Sequence, residues 1–195
     1  KDVHIWMTFR LTGLAGMERV AGYTVARAAN FPDEGRREPI SATAKYIGGV
    51  ISDEEMQERA QWHFPTSPDG HVYPGSDAAR RRYKMAIDPE QTKELTEQQR
   101  LVMFGEGLHV LQDSYSHQGV PVYAGVGHSR GSKYIPGLGE RRLKRGPATV
   151  VSGSSDSVEK YWQDARDAGM ATYLALLELR KAMPHLFPKE AASLK

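Results

Sequence analysis

The stretch GLHVLQDSYSHQG, residues 107 to 119, places His109, Asp113 and His117 at intervals of four residues. On an α-helix, positions i, i+4 and i+8 drift by only about 80° around the axis, so the three side chains share one face. Burying three titratable groups among the neighbouring leucines costs free energy unless the groups are paired or bind a cation. The spacing therefore predicts metal ligands on a helix, with a buried His-Asp-His hydrogen-bonded ladder as the alternative.

This stretch lies in the central helix that the sequence predicts. Thr96 and Gln99 have the spacing of a capping box, which marks the N-terminus of a helix. Apolar residues follow at helical intervals, and Gly119 is a natural C-terminal stop. We expect the helix to run from about Thr96 to Gln118 and to carry the chemistry of the protein.

The rest of the chain also shows helical patterns, separated by long loops. No convincing run of alternating apolar and polar residues predicts a strand, and no internal repeat is evident. We therefore expect a mainly α fold, a single helical domain over residues 1–195 with a long irregular loop over residues 120–154. The other predicted helices run from Val3 to Leu11, from Met17 to Ala29, from Ser52 to Trp62, and from Asp156 to about Pro184.

The composition agrees with one globular domain. Of the 195 residues, 39% are hydrophobic and 26% are charged, which is typical of globular proteins. No apolar run reaches the roughly 18 residues that a membrane span needs. Because cysteine is absent, disulfides and thiolate metal sites are excluded, and any zinc must use histidine, carboxylate, water or backbone ligands.

Charge and chain start indicate little about partners. The formal net charge of +2 makes no strong argument for a polyanionic partner. The basic run from Arg80 to Lys84 is typical of a solvated surface, with phosphate binding as the alternative. The chain begins at Lys1 without a methionine or a signal-like segment. We expect a secreted or exported mature chain, or a domain excised from a larger secreted toxin or effector; the oligomeric state stays open.

Three further histidines lie beside apolar or aromatic residues, where a solvated surface histidine is unexpected. They are His4 in DVHIWM, His63 in QWHFP and His128 in GVGHS. Each taken alone is typical of a hydrogen-bonded core residue, but together with the central helix they are candidate ligands. Other hydrolytic centres have no support, since the chain lacks a His-Glu-x-x-His helix and since Ser114 and Ser116 lie too close to His117 along the helix to face it.

The ordered set His4, Asp33, His63, then LHVLQDSYSH at residues 108–117, then His128, resembles the zinc-dependent phospholipase C and fungal single-strand nuclease superfamily. The resemblance covers most of residues 3–130. It implies a mostly helical fold that holds a cluster of zinc ions at the base of a cleft. It also implies hydrolysis of phosphoric ester bonds by a metal-activated water.

The resemblance assigns a role to each matching residue. Asp33 and Asp113 become the catalytic carboxylates, the former orienting or deprotonating the water and the latter bridging two zinc ions. Asp33 and His63 would complete the first zinc site with the residues of the central helix, and His4 would join Asp113 on a second ion. His117 and His128 resemble the pair that holds the remaining ion. The full set of implied metal ligands is His4, Asp33, His63, His109, Asp113, His117 and His128.

The chain also departs from the family pattern. The family's N-terminal tryptophan, whose amine binds zinc, is replaced here by Lys1 and Asp2, and the acid expected four residues after His128 is Ser132. We therefore expect two zinc ions, with a third short of ligands unless a residue such as His71 or Glu106 supplies one. Glu106, one turn before His109, is also a candidate acceptor for that imidazole, or a solvated surface glutamate.

The resemblance implies a phosphodiester substrate, either a phospholipid or single-stranded nucleic acid. Aromatic residues near the motif, Tyr115 among them, could contact lipid or stack on bases. The modest net charge favours a phospholipase C-like activity over a nuclease. A non-catalytic binding or toxin module stabilised by zinc is the third interpretation, and it would fold with metal but show no turnover.

Overall fold

The structure, a computed structural model, describes residues 2–34, 61–118 and 162–191. These residues are mainly helical, as predicted, and within these ranges the only β-type pairing is an isolated bridge between Thr66 and Val72. A π-helical segment, Asp2–Met7, precedes the first α-helix, and short 3-10 turns occupy Phe31–Asp33 and Pro184–Leu186. The α-helices are α1 (Thr8–Leu14), α2 (Arg19–Ala28), α3 (Asp77–Ile87), α4 (Glu97–Ser116) and α5 (Trp162–Ala182).

Helix α4 lies at the centre, in contact with α2, α3 and α5. It begins at the predicted capping box, where the Thr96 hydroxyl accepts from Gln99 N at 3.2 Å and Gln99 Oε1 accepts from Thr96 N at 2.8 Å. His117 caps its C-terminus. From Phe104 to Ser114 every residue of α4 is buried, so both its apolar and its polar faces belong to the interior.

Two glycines let the neighbouring helices approach the α4 backbone closely. A Cβ added at Gly105 would collide with the Val25 carbonyl of α2, and one added at Gly107 would collide with the Tyr83 backbone of α3. Glycine is the residue that permits such an approach of two backbones. The close contact with α2 brings the end of that helix, at Ala28 and Ala29, against the face of α4 that carries His109.

The apolar core fills the space between these helices. Leu108 and Leu111 of α4 meet Tyr83 of α3 and Leu176 of α5 in one continuous cluster. The residues from Arg80 to Lys84, expected as a solvated basic surface, are part of α3. This helix was not predicted from the sequence. Arg80, Arg81 and Lys84 are exposed, as expected, while Tyr83 between them is buried.

The other predicted elements are observed with shifted ends, where the structure describes them. The first helix continues to Leu14 rather than ending at Leu11, and its first turns are π-helical. Helix α2 lies within the range predicted from Met17 to Ala29, and α5 ends at Ala182, just before Pro184. Residues 35–60 and 119–161, which contain most of the predicted third helix and the long loop, lie outside the described residues. None of the helices in the described ranges combines the length and apolarity that crossing a bilayer requires.

Candidate metal centre

Four separate elements bring five of the predicted ligands together. His4 comes from the π-helical segment, Asp33 from the 3-10 turn after α2, and His63 from the helical residues 61–63. His109 and Asp113 come from α4, one turn apart on the same face, as their spacing predicts. We call these five side chains the cluster.

Asp113 is the hub of the cluster, and only 4% of the residue is exposed. Its Oδ2 lies 2.9 Å from His63 Nδ1 and 3.1 Å from His109 Nε2. Its Oδ1 lies 3.3 Å from His4 Nε2. One carboxylate therefore presents one oxygen to a pair of histidines and the other oxygen to a third histidine.

Asp33 repeats this division from the opposite side of the cluster. Its Oδ1 is 3.9 Å from both His63 Nδ1 and His109 Nε2, and its Oδ2 is 3.7 Å from His4 Nε2. The Asp33 side chain is 36% exposed, whereas His63 and His109 are at most 3% exposed. The cluster is therefore closed on the α4 side and accessible to solvent beside Asp33.

The donor atoms are close enough to hold a metal ion. Two triads have ligand atoms within 4.8 Å of one another, His4 with His109 and Asp113, and Asp33 with His63 and His109. Both triads use His109, but a neutral imidazole nitrogen has one lone pair and can bind one ion only. Two ions could therefore not both be held by a full triad.

The division of the carboxylate oxygens defines two positions for an ion. We call the first position the space bounded by His63, His109, Asp113 Oδ2 and Asp33 Oδ1. The second position is bounded by His4, Asp113 Oδ1 and Asp33 Oδ2. The first position has four protein donors and the second has three.

Hydrogen bonds on the far side of two imidazoles set which nitrogen faces the cluster. His109 Nδ1 donates to the Ala29 carbonyl at 2.9 Å, so Nε2 presents its lone pair to the carboxylates. His4 Nδ1 donates to Gln112 Oε1 at 2.7 Å and likewise presents Nε2. Sequence reasoning missed both acceptors, because a backbone carbonyl and an amide carry no recognisable motif.

Glu106 does not have the role expected of it beside His109. Its carboxylate accepts from Arg82 Nη2 at 2.6 Å, and the Arg82 guanidinium stacks on the Trp62 ring at 3.8 Å. The acceptor for the His109 imidazole is the Ala29 carbonyl instead. Glu106 thus connects α4 to α3, because Arg82 lies within α3.

The remaining predicted residues lie around the cluster or outside the described ranges. His117 Nε2 is 3.7 Å from Asp113 Oδ2, on the side of the first position, and its ring meets Phe64 edge to face. His71 belongs to neither triad, and its ring stacks on Tyr73 in the loop before α3. Tyr115 is partly buried against the apolar core. His128 lies outside the described residues, so its predicted pairing with His117 on a third ion stays a prediction.

Burial and charge together set the protonation of the cluster without a metal. Burial lowers the pKa of His109, because desolvation disfavours the charged imidazolium. Burial alone would raise the pKa of Asp113, but the neighbouring His109 and His117 hold it well below its usual range. Burial also acts to lower the pKa of His4, yet the hydrogen bond and charge of Asp113 outweigh it and raise the pKa to about 9. An ion at the second position would have to displace this proton.

The donor set itself is what zinc accepts. Imidazole nitrogens and carboxylate oxygens are its ligands in proteins without thiolates, and the cluster supplies three imidazoles and two carboxylates.

No protein-family model matches the chain, and comparison with curated proteins and with solved structures gives no match either. The chemistry of the centre therefore has to be inferred from its own geometry.

Proposed function

We propose that the chain is a zinc-dependent phosphodiester hydrolase with a phospholipase C-like activity. The observation that carries the proposal is the division of both carboxylates of the cluster. Asp33 and Asp113 each direct one oxygen to the His63 and His109 pair and the other to His4. Two cations that share two carboxylates fit this arrangement, and such paired centres recur in enzymes that hydrolyse phosphate esters.

The two positions differ in a way that suits catalysis. The first position has two buried histidines and two carboxylate oxygens, which is the closed donor set of a firmly held zinc. The second position has one histidine and two carboxylate oxygens, so a tetrahedral ion there would keep a coordination site for water or substrate. The partial exposure of Asp33 provides access to that side.

The residues of the chain have distinct tasks in this proposal. Bound zinc would supply Lewis acidity, which lowers the pKa of water and neutralises charge on a phosphate. Asp33, at the solvent-accessible edge, can orient a water molecule and accept its proton through a carboxylate oxygen. Asp113, almost fully buried, stays ionised and keeps the donor atoms of both positions close together.

An exposed indole in the segment that carries His4 supports a phospholipid as substrate. Trp6, two residues after His4, is 59% exposed, which is unusual for an indole unless it contacts a partner or an interface. An indole of this kind inserts readily at the boundary between headgroups and acyl chains. Together with a net charge of only +2, this exposed indole supports a lipid aggregate over a polyanion.

The test is an assay of the purified chain with zinc on phosphatidylcholine vesicles, on single-stranded DNA and on a small chromogenic phosphodiester. We expect release of the phosphorylated headgroup from the vesicles. Asp113→Asn should lower that activity at least about 1,000-fold, because the variant loses charge shared by both positions. Asp167→Asn, an aspartate of α5 paired with Arg166 and outside both triads, is the matched control.

Each other outcome contradicts part of the proposal. Cleavage of DNA without cleavage of phospholipid would mean that the chain is a nuclease and not a phospholipase. Zinc binding without turnover of any of the three substrates would make the chain a non-catalytic module stabilised by zinc. Full activity in a zinc-free Asp113→Asn preparation would remove the metal centre from the reaction.

A further inference from the structure

The amide of Gln112 is buried between three helical elements and is fully hydrogen-bonded. Only 1% of the residue is exposed. Its Nε2 donates to the hydroxyl of Thr8 on α1 at 2.8 Å and to that of Thr172 on α5 at 3.1 Å. Its Oε1 accepts from His4 Nδ1 at 2.7 Å. Both ends of the amide therefore have partners, with the oxygen directed at His4 and the nitrogen at the two threonines.

This orientation decides how His4 presents itself to the carboxylates. Both threonine hydroxyls accept from the amide nitrogen, and the amide oxygen accepts from His4 Nδ1. Nδ1 of His4 then keeps its proton, and Nε2 is directed at Asp113 and Asp33, where it can bind an ion once its own proton is displaced. Gln112 itself contacts neither carboxylate in these bonds and acts through His4.

The first position has a different kind of support. His109 donates to the main-chain carbonyl of Ala29, an acceptor that no side-chain substitution removes. The second position contains one imidazole, and a single side chain orients that imidazole. Its ligand also comes from the N-terminal π-helical segment, whereas His109 lies within the fully buried part of α4. Loss of the Gln112 oxygen should therefore affect the two positions unequally.

We propose that Gln112 is a positioning residue that sets the zinc affinity of the second position while leaving the first position unaffected. This inference rests on the proposed two-position centre. An acceptor behind a metal-binding histidine fixes its tautomer and ring orientation, and removing such an acceptor typically weakens metal binding about 10- to 100-fold. The amide itself is held by Thr8 of α1 and Thr172 of α5, so its place depends on both of these helices.

Two substitutions at one residue separate positioning from packing. Gln112→Met keeps the volume but removes the acceptor. Gln112→Glu keeps an acceptor for His4 Nδ1, and the threonine hydroxyls can donate to its second oxygen. Zinc titration against a competing chelator, with cobalt(II) spectra to report ligand geometry, should show two ions on the native chain and on Gln112→Glu. Gln112→Met should bind the first ion normally and the second at least about 10-fold more weakly.

A pair of threonines on α1 provides a control for folding. Thr8 and Thr12 are both buried, but the Thr12 hydroxyl bonds the Phe9 carbonyl and not Gln112. Thr8→Val should weaken binding of the second ion by a smaller factor than Gln112→Met does, and Thr12→Val should leave that affinity unchanged. This comparison decides the matter even if Gln112→Met fails to fold, as judged by loss of helical circular dichroism.

Several results would overturn the inference. Unchanged affinity for both ions in Gln112→Met would reduce Gln112 to a packing role, and so would equal affinities in Thr8→Val and Thr12→Val. Loss of both ions from a folded Gln112→Met chain would contradict the independence of the first position. A native chain that binds no zinc refutes the proposed function as well, whereas two ions on the native chain with no effect at Gln112 refute this inference alone.

Discussion

Leu108 and His109 are neighbours on α4, and both are completely buried, but they face different surroundings. Leu108 lies in the apolar core beside Tyr83 and Leu176, where burial alone stabilises the fold. His109 faces two carboxylates and a second imidazole, where burial costs free energy unless the charges are balanced. The comparison teaches that burial of apolar side chains stabilises one side of α4 directly, whereas the cost of burying the other side has to be offset by charge pairing or, as we propose, by a bound cation.

Removing zinc should lower the free energy of unfolding more than any of the changes described below. For one position, free zinc at roughly 1,000 times its dissociation constant stabilises the folded chain by about 4 kcal/mol. Denaturant unfolding with zinc, and again with an excess of chelator, measures the difference. Equal free energies of unfolding in the two conditions would show that the polar side of α4 is self-sufficient.

Leu108→Ala should lower the free energy of unfolding by about 3 kcal/mol, because it leaves a cavity in the core. The loss should be the same with and without zinc, since Leu108 contacts the apolar core. Denaturant unfolding in both conditions tests this. Leu174→Ala on α5, where the side chain is 54% exposed, is the control and should change stability little. A loss that depends on zinc would mean that the two sides of α4 are coupled.

The zinc-free chain should become less stable as the pH rises from 6.5 to 9. The pKa of His4 is raised from 6.5 to about 9 in the folded state, so the stabilisation is fully present below pH 6.5 and is lost as the pH passes through 9. We expect a loss of about 2 kcal/mol, measured by urea unfolding across this range. His4→Gln should remove the pH dependence, and a slope that persists in this variant would assign it to another group.

Ser114→Ala should have the smallest effect, a loss of about 1 kcal/mol in the free energy of unfolding. The Ser114 hydroxyl accepts from Gly75 N at 2.9 Å and donates to the Leu111 carbonyl at 2.6 Å, so it ties the loop before α3 to α4. The zinc content should stay that of the native chain, because Ser114 belongs to neither triad. Thermal unfolding and metal analysis of the same sample test both parts, and loss of zinc would place Ser114 within the centre.

Much of the fold and of the cluster could be predicted from local patterns. The capping box at Thr96 and Gln99 predicted the start of α4, and the spacing of His109 and Asp113 predicted their shared face. Both depend only on residues a few positions apart. The ordered set of histidines and aspartates also named the residues that the structure brings together from four elements.

What the sequence could not provide depends on contacts between distant residues. Helix α3 was missed because two of its buried positions are the small residues Ala79 and Ala86, which give a weak apolar pattern beside a basic run. The bond from His109 to the Ala29 carbonyl joins residues 80 positions apart, and that from His4 to Gln112 joins residues 108 apart. Only the packing of α2 on Gly105, and of the first segment on α4, creates these partners.

The most direct test of the central claim is the zinc content per chain, measured by elemental mass spectrometry after purification without a metal-affinity step. The account predicts two zinc ions on the native chain and the loss of at least one from His109→Ala. No bound metal on a folded native chain, even after incubation with zinc, would contradict it. His4, His63, His109 and the two aspartates would then be a buried hydrogen-bonded network without a catalytic role.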